Sequence, residues 1–530
     1  MKIKNIIMLI CVPAMLFSCA DFLDENPNRA GNDPIEDLEQ LDNMMNEMAY
    51  QTKGSTWGPG ATINFVNAIA SDDYELHPEI QQKIGAQDVG LISILDREYL
   101  TYQFSNSYEM GKLFNSIYHL NTVLVNIDDV DGNDETLRKK IKAEALSYRA
   151  YYHFNLIVNY SLHPALNGGN SLGMGYRTDI SFDSEGISSR NTVSYTMGKI
   201  YEDISEAQVL FEEIGADDFE VEYNWRLNKV SLMAIKARID LYNGNYSEAL
   251  AAANYVLSKY NYLEDLNNDA NPGDPYYIYT SQHSYTPKDG SVEQILDVHY
   301  TEMNKQVELQ MNNPEMIVPV IISSPFGGNF PMSESLYASF DIKSDLRLVK
   351  FFTNNAYLKN AGASNFTVDE ISALSAEKSH NFQGVSNSTS SISLLQGPNV
   401  PEMMLIKAEC LARGEDGITK DEAAAQSILQ SLRAKRFELT SDANNISGNL
   451  QDVLTERRRE RPYVIRWYDI KRLNALDNAG IVLSKKYFTD RNNSNSGISV
   501  YSIQPNANAF ALPIPDEELS LLNGWEQNPE

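Results

Sequence analysis

Aromatic side chains in the weakly periodic segments of the chain are the residues best suited to bind a ligand. The flat faces of Tyr, Trp and Phe rings stack on the C–H faces of sugar rings, and neighbouring Asp, Asn and Gln groups bond to hydroxyls. The alternative is that most of these rings attach long loops to the rest of the protein. Placement in loops and side-chain chemistry select as candidate binding residues Trp57, Asp73, Tyr74, Tyr102, Tyr276, Tyr277, Phe326 and Phe330.

Motifs typical of catalysis and metal binding are largely missing from the sequence. The seven histidines include no pair at i, i+4 with the Glu of a zincin, and neither a Walker loop nor a G-x-G-x-x-G motif occurs. His153 lies between Tyr152 and Phe154 and is interpreted as a core histidine. The sequence therefore predicts a protein that is not an enzyme, without cofactor or metal centre.

One segment begins like a calcium-binding loop, with the spacing Asp265-x-Asn267-x-Asp269. Ala270 and Tyr276 stand where an EF-hand requires a Gly and a bidentate Glu. An EF-hand is excluded on these grounds, while a looser calcium site in the same loop stays open.

The charge of the chain limits its partners. Lys plus Arg number 43 against 72 Asp plus Glu, so the formal net charge is −29. Such a surface repels phosphate backbones and anionic lipid, which argues against nucleic-acid binding and adhesion to membrane surfaces. Residues 456–461 form a basic cluster interleaved with Glu. We interpret this cluster as a helix whose arginines bind neighbouring carboxylates.

The N-terminus resembles a lipoprotein signal. Lys2 and Lys4 precede an apolar run over residues 6–17, which is too short to span a bilayer. The run ends in Leu16-Phe17-Ser18-Cys19, which is similar to a bacterial lipobox, although an ordinary secretory signal ending at a Cys is the alternative. We expect residues 1–18 to be removed and Cys19 to carry lipid chains that anchor the protein. Cys410 would then remain as a buried thiol without a disulfide partner.

Predicted helices form the framework between the segments that carry the candidate residues. Apolar residues recur with helical spacing over residues 35–50, 108–128, 135–160 and 193–214, and a last helix is predicted over about 449–475. Residues 228–242 and 246–260 form a predicted helix pair separated by Asn243-Gly244-Asn245, with the small residues and turn aromatic of a tetratricopeptide repeat. A second pair is predicted at 401–413 and 420–436.

The predicted fold is mainly α, with a tetratricopeptide-like helical scaffold and long loop-rich insertions. The scaffold is expected at about 35–50, 107–260 and 401–475, within a single domain that spans residues 19–530. Loops with short pieces of secondary structure are expected at about 51–106, and a second loop-rich region without a long amphipathic run is expected at about 261–400. The candidate binding residues lie in these two regions.

Short motifs in a fixed order resemble the SusD/RagB family of surface lipoproteins, which partner TonB-dependent outer-membrane transporters. Each motif alone is a weak indicator of the family, but together they occur in the family's order over most of the chain. They are the lipobox with Cys19-x-Asp21-Phe22-Leu23-Asp24-Glu25-x-Pro27, Ser71-Asp72-Asp73, the segments 143–156, 228–238 and 401–409, Glu456-Arg457-Arg458-x-Glu460, the segment 466–472, Leu512-Pro513-Ile514-Pro515 and Asn528-Pro529. Residues 461–465 depart from the acidic-glycine turn of the family.

The resemblance implies four tetratricopeptide-like helix pairs with loop insertions and no catalysis. It also implies capture of a nutrient, usually an oligosaccharide or polysaccharide, outside the cell and delivery to a SusC-like TonB-dependent transporter. The protein would be held at the outer membrane by the lipid on Cys19. Two alternatives stay open within the family, namely peptide capture and a structural lid on the transporter with little affinity of its own. Ligand residues vary between members, so the resemblance transfers none of the candidate binding residues.

Overall fold

The computed structural model describes most of the chain from residue 35 to the C-terminus. The described residues are 35–530, apart from 55–60, 85–86, 104–106, 181–189, 221–223, 268–277, 286–292, 301–312, 320, 324–329, 355–379, 383–392, 439–443, 464 and 523.

Helices make up most of the described structure, which confirms the mainly α fold. In chain order they are α1 Leu38–Gly54, α2 Ala61–Ala70, α3 Pro78–Ile84, α4 Gln87–Ser93, α5 Ser107–Asn126, α6 Glu135–Tyr160, α7 Val193–Ile214, α8 Lys229–Asn243, α9 Tyr246–Lys259, α10 Glu334–Tyr337, α11 Leu346–Phe351, α12 Val400–Arg413, α13 Glu422–Arg433, α14 Leu450–Glu460, α15 Arg466–Leu476 and α16 Asp516–Leu521. A π-helical turn spans Tyr99–Gln103, and 3-10 turns span Leu166–Gly169 and Asn508–Phe510.

Side-chain caps and left-handed residues set the ends of the scaffold helices. Thr192 caps α7 by accepting a hydrogen bond from the Tyr195 N–H at 3.2 Å, and Asn228 caps α8. Gly244 ends α8 with a φ of 82°, so that α9 begins after a two-residue turn. Helices α5 and α6, α6 and α7, α8 and α9, α9 and α12, and α12 and α13 pack against one another. The predicted tetratricopeptide-like pairs are therefore present.

Residues 51–106 hold more helix than the sequence patterns indicated. Helices α2, α3 and α4 and the π-helical turn lie in this region, which was predicted as loops with short pieces. Each described segment is short, and all five described side chains of α2, residues 66–70, are buried. A short helix that is enclosed on several sides shows no one-sided apolar stripe, so helical periodicity does not reveal it.

The prediction of one helix over 449–475 is wrong, because α14 and α15 are separate. Pro462 lies between them, and Tyr463 has a φ of 64°. Proline cannot donate to the helical ladder, and it disfavours a helical conformation in the residue before it. The chain therefore turns at residues 461–463, within the segment that departs from the family pattern.

Strands are short and pair antiparallel. They are β1 Ile278–Tyr285, β2 Glu293–Tyr300, β3 Ile321–Ser323, β4 Phe330–Pro331, β5 Phe352–Asn354, β6 His380–Phe382, β7 Ser393–Leu395, β8 Leu483–Phe488 and β9 Ile498–Ile503. Strand β1 pairs with β2, β3 with β7, β6 with both β4 and β5, and β8 with β9. The β8–β9 hairpin was missed by the sequence analysis.

Aromatic side chains join the scaffold helices in the core. The Phe154 ring on α6 lies edge-on to Tyr242 of α8, with ring centroids 5.4 Å apart, and 6.1 Å from Tyr468 of α15. His153 is buried as expected, with Nδ1 2.9 Å from the Arg149 carbonyl oxygen. Burial lowers the pKa of His153 to about 3, so the ring is neutral and structural.

The basic cluster at 456–461 is confirmed as a helix end whose arginines bind carboxylates. Arg457 lies 3.0 Å from the Asp469 carboxylate, and Arg459 lies 3.2 Å from Glu456. Both carboxylates are buried, so the guanidinium groups replace the water that would otherwise solvate them.

Candidate ligand-binding site

The two predicted loop-rich regions meet where the end of α2 runs beside strand β4. The Glu75 N–H donates to the Pro331 carbonyl at 3.2 Å, and the Ser333 N–H donates to the Asp73 carbonyl at 2.9 Å. Strand β4 begins at Phe330, so the backbone of this candidate residue lies beside the Asp73–Glu75 segment. These contacts join residues from the first and the second predicted insertion.

Two arginines from the C-terminal helices bind consecutive aspartates at this junction. Arg466 donates to both carboxylate oxygens of Asp72 at 2.6 and 2.7 Å. The Arg458 Nε donates to Asp73 Oδ1 at 2.6 Å, and the Tyr463 N–H donates to Asp73 Oδ2 at 2.9 Å. Burial alone would raise the pKa of Asp72, but the charge and hydrogen bonds of Arg466 lower it to about 2. Asp72 is therefore ionised at neutral pH.

Asp73 and Tyr74 lie in the packed interior. Their exposed fractions are 0% and 1%, respectively. The Asp73 carboxylate bonds to protein groups, and the Lys485 Nζ lies 5.6 Å from the centroid of the Tyr74 ring. In this structure the two side chains hold the junction together and present no open surface to a ligand.

A buried lysine on the β8–β9 hairpin, Lys485, bonds to the backbone at and just after the end of α2. The Lys485 Nζ donates to the carbonyl oxygens of Ile69 at 3.2 Å and Ser71 at 2.6 Å, and to that of Tyr74. Burial lowers the pKa of Lys485 to about 8, against the attraction of nearby carboxylates. Lys485 thereby provides a hydrogen-bond donor to three carbonyl groups at and just after the end of α2. Burial of these groups without a donor would cost free energy of folding.

The same hairpin also holds the segment that carries Tyr102. Arg491, in the hairpin turn, forms an ion pair with Asp96, and Asp96 Oδ1 accepts a hydrogen bond from the Tyr99 N–H at 2.9 Å. Tyr99 begins the π-helical turn Tyr99–Gln103. Tyr102 in this turn is 74% exposed, so its ring is open to a ligand.

The structure thus brings some candidate residues together and separates others. Asp73, Tyr74 and the backbone of Phe330 adjoin, whereas Tyr102 lies on a different segment supported by the same hairpin. The other candidates lie outside the described residues, and these are Cys19, Trp57, Tyr276, Tyr277 and Phe326.

Lys485 and Arg491 were missed by the sequence analysis. Strand β8 alternates buried and exposed side chains, with Leu483, Lys485 and Tyr487 on the buried face. A lysine between two apolar residues at period-two spacing is a signal that could have predicted a buried ammonium group. No comparable signal marks Arg491, which lies in a polar turn.

A match to the nucleophile-elbow motif, also missed by the sequence analysis, occurs at Gly169-Asn170-Ser171-Leu172-Gly173. That motif requires a strand-to-helix turn, but this segment follows a 3-10 turn after α6. The Ser171 hydroxyl accepts a hydrogen bond from Asn167 at 3.0 Å. The local structure therefore gives no support to a nucleophilic serine.

The described part of the chain holds neither a cluster of metal ligands nor a membrane-spanning helix. No group of three or more His, Cys, Asp or Glu residues there is arranged to hold a metal ion. Asp265 pairs with Lys435 at 2.7 Å and accepts from the Asn267 N–H at 3.1 Å, while Asp269 lies outside the described residues. Among the described helices, none combines the length and apolar character needed to cross a bilayer.

Family models match both ends of the chain. A SusD-like model described as "Starch-binding associating with outer membrane" matches residues 21–241. A second model, described as "SusD family", matches residues 375–530. None of the curated proteins matches the sequence.

Solved structures of similar fold cover almost the whole chain. A putative sugar-binding protein from Bacteroides vulgatus ATCC 8482 has 17% identity and a TM-score of 0.65, over 94% of this chain and 99% of that chain. A SusD superfamily protein from Bacteroides thetaiotaomicron VPI-5482 has 17% identity and a TM-score of 0.60, over 93% and 100%. Surface glycan-binding protein A from Bacteroides thetaiotaomicron, in complex with laminarihexaose, has 15% identity and a TM-score of 0.59, over 92% and 99%. At these identities the similarity establishes a shared fold.

Proposed function

The chain belongs to the SusD family, and we propose that it is a non-catalytic cell-surface protein that captures oligosaccharide or polysaccharide. We further propose that it delivers the glycan to a partner TonB-dependent outer-membrane transporter. The observation that carries the proposal is the match of residues 21–241 to a family described as starch-binding and associated with the outer membrane. A protein of the same fold in complex with laminarihexaose supports the same class of ligand.

The geometry of the candidate site is consistent with this function. Tyr102 exposes most of its ring on a turn that Asp96 and Arg491 hold in place. A fixed aromatic face loses little conformational entropy when a sugar stacks on it, which favours binding.

Cys19 is proposed as the lipid anchor. The family match begins at residue 21, two residues after the lipobox cysteine. Replacement of Cys19 by Ser should prevent incorporation of labelled palmitate and release the protein from the outer-membrane fraction. Labelling of the Cys19→Ser variant would contradict the proposal.

Titration calorimetry on a soluble form that starts after Cys19 tests glycan capture. The ligands are starch-derived and laminarin-derived oligosaccharides and a mixed peptide digest. Wild type is compared with the Trp57→Ala, Tyr102→Ala and Tyr276→Ala variants. We expect saturable binding of one glycan class, weakened by about three- to tenfold when a stacking ring is removed.

Tyr195 provides the matched control, because it is 49% exposed on the scaffold helix α7. The Tyr195→Ala variant should bind glycan as wild type does. Binding of peptides alone would instead favour the peptide-binding alternative. Absence of binding to any ligand would favour the structural lid, and a pull-down of the transporter from solubilised outer membranes would then test the partnership.

A further inference from the structure

Strand β9 leaves one side of its backbone unpaired, since within the described residues β8 is its only partner strand. The Thr489 N–H donates to the Gly497 carbonyl at 2.5 Å at the end of this antiparallel ladder. Successive residues of an antiparallel strand point their backbone groups alternately toward and away from the partner strand. The backbone groups of Ile498, Val500 and Ser502 therefore point away from β8, and we call these three residues the open edge.

The side chains of the open edge are exposed and mostly apolar. Ile498 and Val500 are 56% and 64% exposed, and Ser502 is also exposed. Natural edge strands usually carry a charge, a proline or a bulge that prevents pairing with another strand. Strand β9 contains neither a charged residue nor a proline, and it pairs with β8 residue by residue without a bulge. The open edge is therefore able to accept a further strand.

Contacts of strand β8 hold the hairpin on the rest of the protein. The Tyr487 ring packs so closely on Gly90 of α4 that no Cβ would fit there, and the Tyr487 hydroxyl donates to the Gln87 carbonyl at 3.0 Å. The Lys485 Nζ bonds to the carbonyl of Ser71 beyond the end of α2 at 2.6 Å. The open edge is thus preorganised, which lowers the entropic cost of pairing with another strand.

The charge near the open edge indicates which partner can approach it. The chain as a whole carries a net charge of −29, so two copies repel each other over most of their surface. Residues 478–515, which include the hairpin, differ in containing three basic residues and one acidic residue. The exposed Lys486 lies directly opposite Val500 in the register of the hairpin. Two copies therefore meet less repulsion at the hairpin than over an average part of their surface.

The open edge is complementary to itself. When two copies of β9 run antiparallel about a two-fold axis at Val500, this residue faces its counterpart, and Ile498 faces Ser502 of the other copy. The outward N–H and C=O groups then bond across the axis, and the apolar side chains of both copies lie on one face of the sheet. The open edge carries no charged side chain that would meet a like charge there.

From these observations we infer that the open edge is a docking surface for a second copy of this chain, and that the two hairpins join as one four-stranded antiparallel sheet. The inference rests on the hairpin and is independent of glycan capture. Three residues per copy are few beside the roughly 20–30 residues a side of a stable interface, so we expect a weak and reversible dimer. Salt should strengthen the dimer, because it screens the repulsion between two acidic chains.

Sedimentation velocity of the soluble form that starts after Cys19, at about 10 to 500 μM protein, tests the inference. We expect dimer at the upper concentrations, and more of it in about 0.5 M than in about 0.1 M sodium chloride. Val500→Lys brings two ammonium groups together at the axis and should lower the association constant about tenfold or more. Val209→Lys is the control with the same change of charge, because Val209 is 50% exposed on α7, and it should dimerise as wild type does.

A cysteine cross-link tests the register of the two strands. Residues directly opposite each other in antiparallel strands have Cα atoms about 4.5–5.5 Å apart, within the range of about 4.4–6.8 Å that a disulfide spans. The Val500→Cys variant should therefore form a disulfide-linked dimer on air oxidation, whereas Val209→Cys should not. Cys410 is buried and does not compete.

Three results would overturn the inference. The first is a wild type that stays monomeric over the whole concentration range at both salt concentrations. The second is a folded Val500→Lys variant that dimerises as wild type does, because another surface would then join the copies. The third is a monomeric wild type whose pull-down of the transporter is lost in Val500→Lys, which would assign the open edge to the transporter instead. Thermal unfolding shows whether each variant is folded, and the Val500→Cys cross-link decides if Val500→Lys is not.

Discussion

Arg466 donates two hydrogen bonds, of 2.6 and 2.7 Å, to the carboxylate of Asp72, although the residues are 394 positions apart in the sequence. A two-pronged guanidinium–carboxylate pair fixes both distance and orientation. Because Asp72 follows α2 and Arg466 begins α15, this pair, together with the neighbouring Arg458–Asp73 bond, holds the first insertion against the C-terminal part of the scaffold.

Removal of the Asp73 carboxylate, which follows Asp72 in the chain, should destabilise the fold. Asp73→Ala leaves Arg458 and the Tyr463 N–H without their buried acceptor, and breaking such a pair costs about 3 kcal/mol or more. We expect the free energy of unfolding in urea to fall by about 3 kcal/mol. Asp128→Ala is the control, since that exposed carboxylate is 3.4 Å from Lys142 and should contribute less than about 1 kcal/mol. Equal effects of the two substitutions would contradict the structural role of Asp73.

Lys485 should stabilise the backbone of residues 66–75 more than the rest of the protein. Lys485→Met removes the donor for the carbonyl groups of Ile69, Ser71 and Tyr74. We expect faster hydrogen exchange of the backbone amides in residues 66–75 and a lower melting temperature. Lys486→Met changes the exposed neighbour on the same strand and should alter neither measurement. Exchange that rises equally everywhere would indicate global rather than local weakening.

Two glycines should respond to alanine substitution in opposite directions. Gly244 has a φ of 82°, and a Cβ there would lie 3.2 Å from the Leu476 side chain, so Gly244→Ala should destabilise by about 1–2 kcal/mol. Gly198 lies inside α7, and a Cβ added there would meet no atom within 4 Å beyond its chain neighbours and the backbone of its own helical turns, so Gly198→Ala should stabilise by about 0.5–1 kcal/mol. Chemical unfolding of both variants beside wild type measures the difference in sign. Destabilisation by both substitutions would contradict the open space beside Gly198.

We expect the protein to lose stability in acid, because the pKa values of the buried Glu409 and Glu402 are lowered. Burial would raise the pKa of Glu409, but Arg472 and Arg413 lower it from 4.5 to about 2. Burial would also raise the pKa of Glu402, but Arg238 and Arg457 lower it from 4.5 to about 2. Below pH 4.5 the unfolded chain binds protons that the folded chain does not, so the unfolding free energy falls as the pH drops from about 4.5 to 2.

Urea unfolding at several pH values checks this dependence. The Glu409→Gln variant should be less stable than wild type at pH 7 and should show a shallower decline between about pH 4.5 and 2, because one of the shifted groups is gone. Glu415→Gln, which alters an exposed carboxylate 3.8 Å from Arg413, should leave the slope unchanged. A wild-type unfolding free energy that is constant over this range would contradict the assigned pKa values.

Local patterns predicted the scaffold well. The helices at residues 135–160 and 193–214 begin and end where the apolar spacing indicated, and the turn at Gly244 lies where the tetratricopeptide pattern places it. The arginine cluster was also interpreted correctly, because interleaved Glu residues in an acidic chain favour ion pairing. Pro462 was visible in the sequence, yet the helix break at that residue was not predicted.

Residue types, and their spacing within one or two helical turns, were enough to indicate the family, the helical scaffold and the acidic character of the surface. The burial of Tyr74, the exposure of Tyr102 and the support that Lys485 gives to the end of α2 became apparent in the folded protein alone. Those properties depend on contacts between segments hundreds of residues apart. Such contacts are set by packing and by the need to bond buried polar groups, which local periodicity does not record.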